Sequence, residues 1–219
     1  MRERYRTVAR QARVELEERK SRFIATCRPL ASEQEAQDLV LGQRAEFPNA
    51  SHHVYAWILG GDMNLQRYSD DGEPQGTAGL PVLDAMRRQG IDQAGIVVTR
   101  YFGGTLLGTG GLSRAYGLAA ARALAAAGPF ENQLCSQYRV TSSYGDVDRL
   151  RHAWQQHGWW IGESRFAIDV EIQVAVPVQA EESFTRLCAD LTQGGALLEP
   201  DGLIYRPLPP PDPPAGGIL

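Results

Sequence analysis

Residues 69–117 read SDDGEPQGTAGLPVLDAMRRQGIDQAGIVVTRYFGGTLLGTGGLSRAYG. This stretch holds two glycine-bearing loops, each followed by an apolar pattern with helical spacing, and the apolar run AGIVVTRY lies between them. A short apolar run bounded by turn residues is typical of a buried strand. Glycine is used where the backbone adopts a positive φ or where another surface comes close. The stretch is therefore predicted to present loop amides at the ends of one strand and two helices.

The second loop, GGTLLGTGG, leads into a helical pattern whose early residues are Ser113 and Arg114. The first amides of a helix lack intrahelical acceptors and lie at the positive end of the helix dipole, where they attract anions. Arg100 ends the preceding strand, so we expect two guanidinium groups to flank one anion site, most simply a phosphate site. The residues predicted to bind phosphate or nucleic acid are Arg100, Tyr101, Gly103, Gly104, Gly108, Gly110, Gly111, Ser113 and Arg114.

Neither of the two common phosphate-binding motifs matches this loop. It lacks the Lys and the adjoining Ser or Thr of a Walker A loop, and the glycines at 108 and 110 are not continued as GxGxxG. Nucleotide hydrolysis is therefore not indicated. The alternative interpretation is that the glycines only form tight turns and let a strand and a helix approach each other.

Four motifs follow one another along the chain. They are KSRFIA at 20–25, ASHHVYAW at 50–57, SDDGEPQGTAGLP at 69–81 and VVTRYFGGTLLGTGGLSRAYG at 97–117. Together they resemble the bacterial YigZ branch of the IMPACT family, over most of residues 13–205. The chain departs from the family pattern at Leu80, where members often carry a basic residue, and in the Pro-rich segment after Tyr205.

The resemblance implies a two-domain protein without an established enzymatic reaction, associated with translation or with its regulation under stress. It implies an N-terminal domain similar to the second domain of the ribosomal small-subunit protein S-five. It also implies a pair of domains similar to the last two domains of elongation factor G, so that the C-terminal domain resembles domain V of that factor. Fold likeness alone does not establish a function.

Length and charge limit the class of protein. With 219 residues, 43% of them hydrophobic, the chain can bury a core and fits one or two ordinary domains. Residues 1–133 hold 16 Lys or Arg against 15 Asp or Glu, whereas residues 134–219 hold 6 against 11. A uniformly basic nucleic-acid binder is excluded, so an RNA contact must use a local patch in the first half. The acidic second half is a candidate surface for a protein partner.

Cysteine usage and hydropathy predict a cytoplasmic protein. Cys27, Cys135 and Cys188 are widely spaced and form no CxxC pair, which argues against a disulfide framework and against a zinc site. The N-terminal segment alternates charges and lacks an apolar signal region. The most apolar helical pattern, around residues 115–127, contains Arg122 and is too short to cross a bilayer. We expect no membrane contact, and the oligomeric state stays open.

Patterning predicts an α+β fold with an IMPACT-type N-terminal domain at 1–130, a C-terminal domain at 131–206 and a disordered Pro-rich tail at 207–219. In the first domain, strands are predicted at 12–18, 21–28, 53–59 and 95–101, and helices from the Ser32–Glu35 capping box to about Pro48, at 80–89 and at 111–127. In the second, the order is a strand at 134–142, a helix at 145–157, strands at 159–163 and 166–176, a helix at 180–193 and a strand at 197–205. This βαββαβ order is the ferredoxin-like arrangement.

A second group of candidates surrounds the first loop. His52 and His53 are adjacent in a predicted strand, so their side chains point to opposite faces. One of them could meet the acidic loop and form a carboxylate and imidazole site for acid–base work or for a hard cation. Ordinary turn chemistry explains the same Asp-Gly sequence. The loop and cleft candidates are His52, Asp70, Asp71, Glu73, Lys20 and Arg22, and no metal, cofactor or catalytic residue is predicted.

Cations interleaved with aromatic residues indicate RNA as the partner, because such surfaces grip phosphates and stack bases. They include Arg22, Phe23, Arg100, Phe102 and Tyr116. Ser113 stands at a helix start, where capping explains it, and no GxSxG elbow is present. We therefore expect a non-catalytic regulator of translation or of the stress response that binds RNA or a ribosome-associated partner. The alternative is an enzyme that acts on a small phosphorylated or nucleotide substrate at the same loops.

Overall fold

The computed structural model describes residues 2–60 and 65–208. Contacts divide the chain into two compact units, one of Tyr5–Glu131 and one that begins at Asn132 and includes Arg2–Arg4. The tail predicted to be disordered lies outside the described residues from position 209 on. Both units combine an antiparallel sheet with helices, which confirms the α+β class.

After an opening strand β1 (Arg4–Val8), the first unit contains five strands and three helices. The strands are β2 (Ala12–Glu18), β3 (Ser21–Pro29), β4 (His52–Leu59), β5 (Leu65–Ser69) and β6 (Ala94–Tyr101), and the helices are α1 (Glu33–Glu46), α2 (Gly79–Arg88) and α3 (Gly108–Ala127). Sequence patterning misses β1 and β5. The residues of β5 are all half-buried or exposed at a sheet edge, so the strand lacks the apolar alternation that marks a half-buried strand.

The sheet of the first unit has the order β2-β3-β6-β4-β5, with every neighbouring pair antiparallel. Strand β6 is central and buried on both faces, as its continuous apolar run predicts. Helices α2 and α3 pack through Val82, Leu83, Tyr116 and Leu124 on one face of the sheet. Helix α1 packs on the other face, over Trp57 and its neighbours. The unit is thus a sheet covered on both sides.

Local chemistry sets the helix ends. Ser32 caps α1 by accepting a hydrogen bond from the Glu35 amide at 3.2 Å, and the Glu35 carboxylate accepts from the Ala31 amide at 2.8 Å. This confirms that Ser32 caps α1, whereas the Glu35 carboxylate reaches the amide of the residue before Ser32 and not that of Ser32 itself. Helix α3 ends at Gly128, which has a φ of 72° and therefore occupies the left-handed region that favours glycine.

The second unit consists of β7 (Pro129–Ser142), α4 (Tyr144–Gln156), β8 (Trp160–Phe166), β9 (Val170–Pro177), a 3₁₀ turn at Val178–Ala180, α5 (Glu181–Thr192) and β10 (Leu197–Pro207). Its four principal strands pair in the order β10-β7-β9-β8, and β1 is a fifth strand beside β7. That order and the βαββαβ sequence of elements confirm the ferredoxin-like prediction. Trp154, Trp159 and Phe184 form the centre of its core.

Candidate functional site

Three strand ends of the first unit meet at one edge of the sheet. Arg100, near the end of β6, pairs in register with Phe23 of β3 on one side and with His52 of β4 on the other. The first loop (residues 70–78) and the second loop (residues 102–107) both leave from this edge, each to begin a helix. This edge therefore brings His52, Arg100 and the two loops together, but their side chains have different roles.

Asp70 occupies the amino-terminus of α2. Its carboxylate accepts hydrogen bonds from the backbone amides of Gly76 at 2.8 Å, Ala78 at 3.0 Å and Gly79 at 2.8 Å. A carboxylate at this position compensates both the unpaired amides and the positive end of the helix dipole. The first loop thus supplies its own anion to α2, and Asp70 has a structural role.

Asp71 is also fully engaged. One carboxylate oxygen accepts from the Arg44 guanidinium at 2.7 Å, and the other accepts from the His53 amide at 2.6 Å. The backbone carbonyl of Asp71 lies 2.8 Å from Nδ1 of His52. These contacts fix the first loop against α1 and β4, so Asp71 holds the loop in place.

Glu73 and Arg100 form a buried ion pair. Arg100 Nη1 donates to Glu73 Oε1 at 2.6 Å, and the two side chains are only 5% and 4% exposed. The same carboxylate oxygen accepts from the Tyr116 hydroxyl at 2.8 Å. Burial, followed by the nearby Glu73 charge, raises the pKa of Tyr116 far above its ordinary value, so Tyr116 stays a neutral donor.

The burial of Arg100 corrects the prediction that it is a free phosphate ligand. Besides Glu73, it donates through Nη2 to Ser21 Oγ at 3.1 Å, and its guanidinium lies over the rings of Phe23 and Phe102. Its charge is neutralised by Glu73 within the protein. Arg100 and Arg114 also line different cavities, so the expected pair of guanidinium groups flanking one anion is not formed.

The two histidines point to opposite faces of β4. His53 is buried, and this burial lowers its pKa, although the Asp71 carboxylate opposes the shift. His52 faces the first loop, and its Nε2 lies 3.8 Å from Glu73 Oε1. The carboxylate and imidazole pair proposed from the sequence is therefore His52 with Glu73. Within residues 2–60 and 65–208, no group of three His, Cys, Asp or Glu side chains is placed to hold a metal ion.

The second loop differs from the first because no side chain among the described residues bonds the first amides of α3. Gly103 packs so closely on the turn between β2 and β3 that a Cβ atom would lie 2.0 Å from the carbonyl carbon of Lys20. Gly108 opens the helix with a φ of 68°, a conformation that favours glycine. No hydrogen bond from the amides of Gly108 and Thr109 to an acceptor is found in the described part of the chain. Ser113 donates to the Thr109 carbonyl at 3.1 Å, which corrects the expectation that it caps the helix.

Arg114 is exposed and lies beside cations that the sequence did not single out. It lines a cavity of about 240 Å³ together with Arg19 and Gly111. It also lines an adjoining groove of about 710 Å³ together with Arg88 and Ser113. We call this continuous surface, lined by Arg19, Arg88 and Arg114, the basic groove. Glu18 and Asp84 line it as well, and Asp84 pairs with Arg87.

Other cations of the predicted set are differently placed. Arg22 forms an ion pair with Glu15 on the neighbouring strand and lies over the ring of Tyr101, so it is not a free ligand for a phosphate. Lys20 is exposed in the turn between β2 and β3, next to Arg19. Leu80, at which the chain departs from the family pattern described above, lines the basic groove. Among the aromatic residues, Phe23 and Tyr116 belong to the core, whereas Phe102 is half exposed.

These features define a two-domain α+β protein with glycine loops at one edge of its first sheet. The Impact N-terminal domain matches residues 19–124, and a domain of unknown function (DUF1949) matches residues 140–194. The chain is 31% identical to the IMPACT family member YvyE of Bacillus subtilis over 201 residues, which cover 92% of this chain and 93% of YvyE. It is 35% identical to the IMPACT family member YigZ of Escherichia coli over 182 residues, or 82% of this chain and 89% of YigZ.

The protein therefore belongs to the IMPACT family, as its motifs indicate. A crystal structure of a hypothetical protein is also similar, with 34% sequence identity and a TM-score of 0.60, covering 90% of this chain and 97% of the other. No helix among the described residues is long and apolar enough to span a bilayer.

Proposed function

We propose that this protein is a non-catalytic cytoplasmic regulator of translation or of the stress response that binds the phosphate backbone of RNA through the basic groove. One observation carries the proposal: Arg114 shares one cavity with Arg19 and the next with Arg88, beside the uncapped start of α3. No ion pair involves Arg19, Arg88 or Arg114 in the part of the chain that the structure describes. Their charges are available to phosphates.

The shape of this surface favours an extended anion over a compact one. The larger cavity is an open groove, and it continues past Arg114 toward the turn that carries Arg19 and Lys20. A strand of nucleic acid presents phosphates at regular intervals and can contact separated arginines at once. Because the second unit is acidic, it is expected to repel RNA, and RNA binding is assigned to the first unit. The acidic second unit is suited to a protein partner, such as a ribosome-associated one.

Fluorescence anisotropy with a labelled single-stranded RNA and a labelled hairpin across a salt series tests this function. Each lost phosphate contact lowers the slope of log K against log salt by about 0.7 for a single strand. Arg19→Ala and Arg114→Ala are expected to reduce both affinity and slope. Arg122→Ala is the matched control, because Arg122 is an exposed arginine of the same helix that does not line the groove.

A substitution that is expected to increase RNA affinity provides a second test. Leu80→Lys places a basic residue in the groove, and it is expected to tighten binding and steepen the salt slope. The proposal fails if Arg114→Ala and Arg122→Ala have the same affinity and slope. Arg100→Ala is unsuitable as a test, because it leaves Glu73 buried without its cation.

A further inference from the structure

Another cavity, of about 400 Å³, shares Leu107 with the basic groove. It is lined by the buried pair Glu73 and Arg100, by His52, by apolar side chains and by the first residues of α3. We call it the His52 cavity. A largely apolar cavity with a few convergent polar groups is the usual form of a small-molecule site.

The polar side of the His52 cavity carries little net charge but one unused hydrogen-bonding atom. Glu73 is neutralised by Arg100. Nδ1 of His52 lies 2.8 Å from the Asp71 carbonyl, and since a carbonyl can only accept, Nδ1 carries the proton. The other nitrogen, Nε2, is 3.8 Å from Glu73, which is beyond hydrogen-bond distance. The imidazole is thus oriented by its own backbone contact, and Nε2 is left to bond a ligand.

The apolar side of the cavity is uncovered. Phe102 is 48% exposed and Leu106 is 81% exposed, and both line the cavity. Burial of these side chains would be favourable at roughly 25 cal/mol for each Å² removed from water. The ring of Phe102 offers a flat surface, and base or ring stacking on such a surface is a common mode of recognition. This side fits a planar apolar body.

The third side is the start of α3, where Gly108 and Thr109 line the cavity. Their amides have no acceptor among the described residues, and the nearly fully buried Arg100 contributes an Nε that also lacks one. Helix α2 shows that the start of a helix in this domain can bind an anionic group, because the carboxylate of Asp70 lies there and accepts hydrogen bonds from three amides. No carboxylate of the described residues occupies the start of α3, so an anionic group from a ligand can take that place.

We propose that the His52 cavity binds a small planar molecule that bears one carboxylate or phosphate group. Its ring lies against Phe102, a hydrogen-bonding group on the ring meets Nε2 of His52, and its anionic group is held by the amides of Gly108 and Thr109. The site goes beyond the proposed RNA surface, because it uses none of Arg19, Arg88 and Arg114.

Titration of the full-length protein, observed by ¹H–¹⁵N NMR and by calorimetry, tests the proposal with two pairs of probes. Adenosine 5′-monophosphate with adenosine is the phosphate arm, and indole-3-acetate with indole is the carboxylate arm. At least one anionic probe is expected to shift the amides of Gly108 and Thr109 and to bind about tenfold or more tightly than its neutral counterpart. The anionic probe that binds shows whether the site prefers a phosphate or a carboxylate.

Substitutions in the His52 cavity test whether the probe binds there. Phe102→Ala removes the flat wall and Thr109→Asp places a carboxylate at the start of α3, and each is expected to weaken binding of the anionic probe about tenfold. Phe166→Ala, which removes an exposed aromatic side chain of the second unit, is the control and leaves binding unchanged. The ¹H–¹⁵N spectrum of each variant establishes that it is folded.

The proposal is overturned if neither anionic probe binds at millimolar concentration, or if Phe102→Ala and Thr109→Asp both bind as well as the wild type does. Arg114→Ala separates this result from the RNA proposal. It is expected to retain the small anion while it loses RNA affinity, so either function can fail without the other.

Discussion

The two glycine loops of the first unit have similar compositions and opposite uses. Both leave the same edge of the sheet and both begin a helix. In the first loop, Asp70 binds the amides at the start of α2, Asp71 binds Arg44 and Glu73 binds Arg100. In the second loop, no side chain of residues 2–60 or 65–208 caps α3. The first loop thus supplies its own carboxylate to the start of α2, whereas the second leaves the start of α3 to the proposed ligand.

The arginines near the loops show the same division. Arg100 is buried and serves the first loop through Glu73, whereas Arg114 is exposed beside the second loop. Exposure decides what each charge can do, because a buried cation is paired within the protein and an exposed one can meet a ligand. The predictions below test this contrast between a closed first loop and an open second loop.

The largest effect is expected for Glu73→Gln, which leaves the buried Arg100 charge without its counter-ion. The free energy of unfolding is expected to fall by about 3–5 kcal/mol in urea denaturation. Glu46→Gln is the matched control, since it removes the exposed Arg13–Glu46 pair and should cost less than about 1 kcal/mol. Equal losses for the two variants would contradict the structural importance of the first loop.

A smaller loss is expected for Asp70→Asn. The amide side chain keeps the shape but removes the charge and one acceptor from the start of α2, so unfolding should become easier by about 1–3 kcal/mol. Asp38→Asn, on the exposed face of α1, serves as the reference in the same denaturation experiment. If Asp70→Asn matches that reference, Asp70 is not the anion that closes the first loop.

Thr109→Asp gives the second loop a carboxylate like that of the first. The stability of the folded protein is expected to rise by about 0.3–1 kcal/mol, because a negative charge in the first turn of α3 meets the helix dipole. Affinity for RNA and for small anions is expected to fall. Thr109→Asn keeps the size without the charge and should leave RNA affinity close to that of the wild type. A Thr109→Asp variant that gains stability and also binds anions as before would show that α3 does not hold them.

The smallest effect concerns His53, which contacts the first loop through Asp71. Its pKa is lowered in the folded protein by burial, so below pH about 6.5 the unfolded chain binds more protons than the folded one. The contribution of His53 to stability is therefore present in full above that pH and is lost as the pH falls. His53→Gln should show a shallower loss of stability between neutral and mildly acidic pH. Parallel curves for the wild type and the variant would exclude this role.

Much of the fold follows from local sequence. The capping box at Ser32 and Glu35 marks the start of α1, the apolar run before Tyr101 marks β6, and Gly128 marks the end of α3. These signals depend on neighbouring residues alone. The edge strand β5 escapes sequence reading because its polar residues lie at an edge, where burial imposes no alternation.

The candidate site is harder to read from sequence because its contacts join distant segments. Ser21 and Arg100 meet only because β3 and β6 are paired, and Arg19 reaches the groove of Arg114 only because its turn lies against the second loop. The sequence indicates that His52 and an acidic loop residue could meet, but it does not select Glu73. Pairing order and register are needed for that choice.

By itself, the sequence determined the IMPACT family, the α+β class, the order of most elements and the presence of two glycine loops that each lead into a helix. These properties depend on motifs, periodicity and glycine positions, all of which are local. Only the tertiary structure decided which charges are free. Arg100 and Arg114 are indistinguishable as letters, and the packing around them, with Glu73 buried against one and solvent around the other, separates a structural cation from a cation available to a ligand.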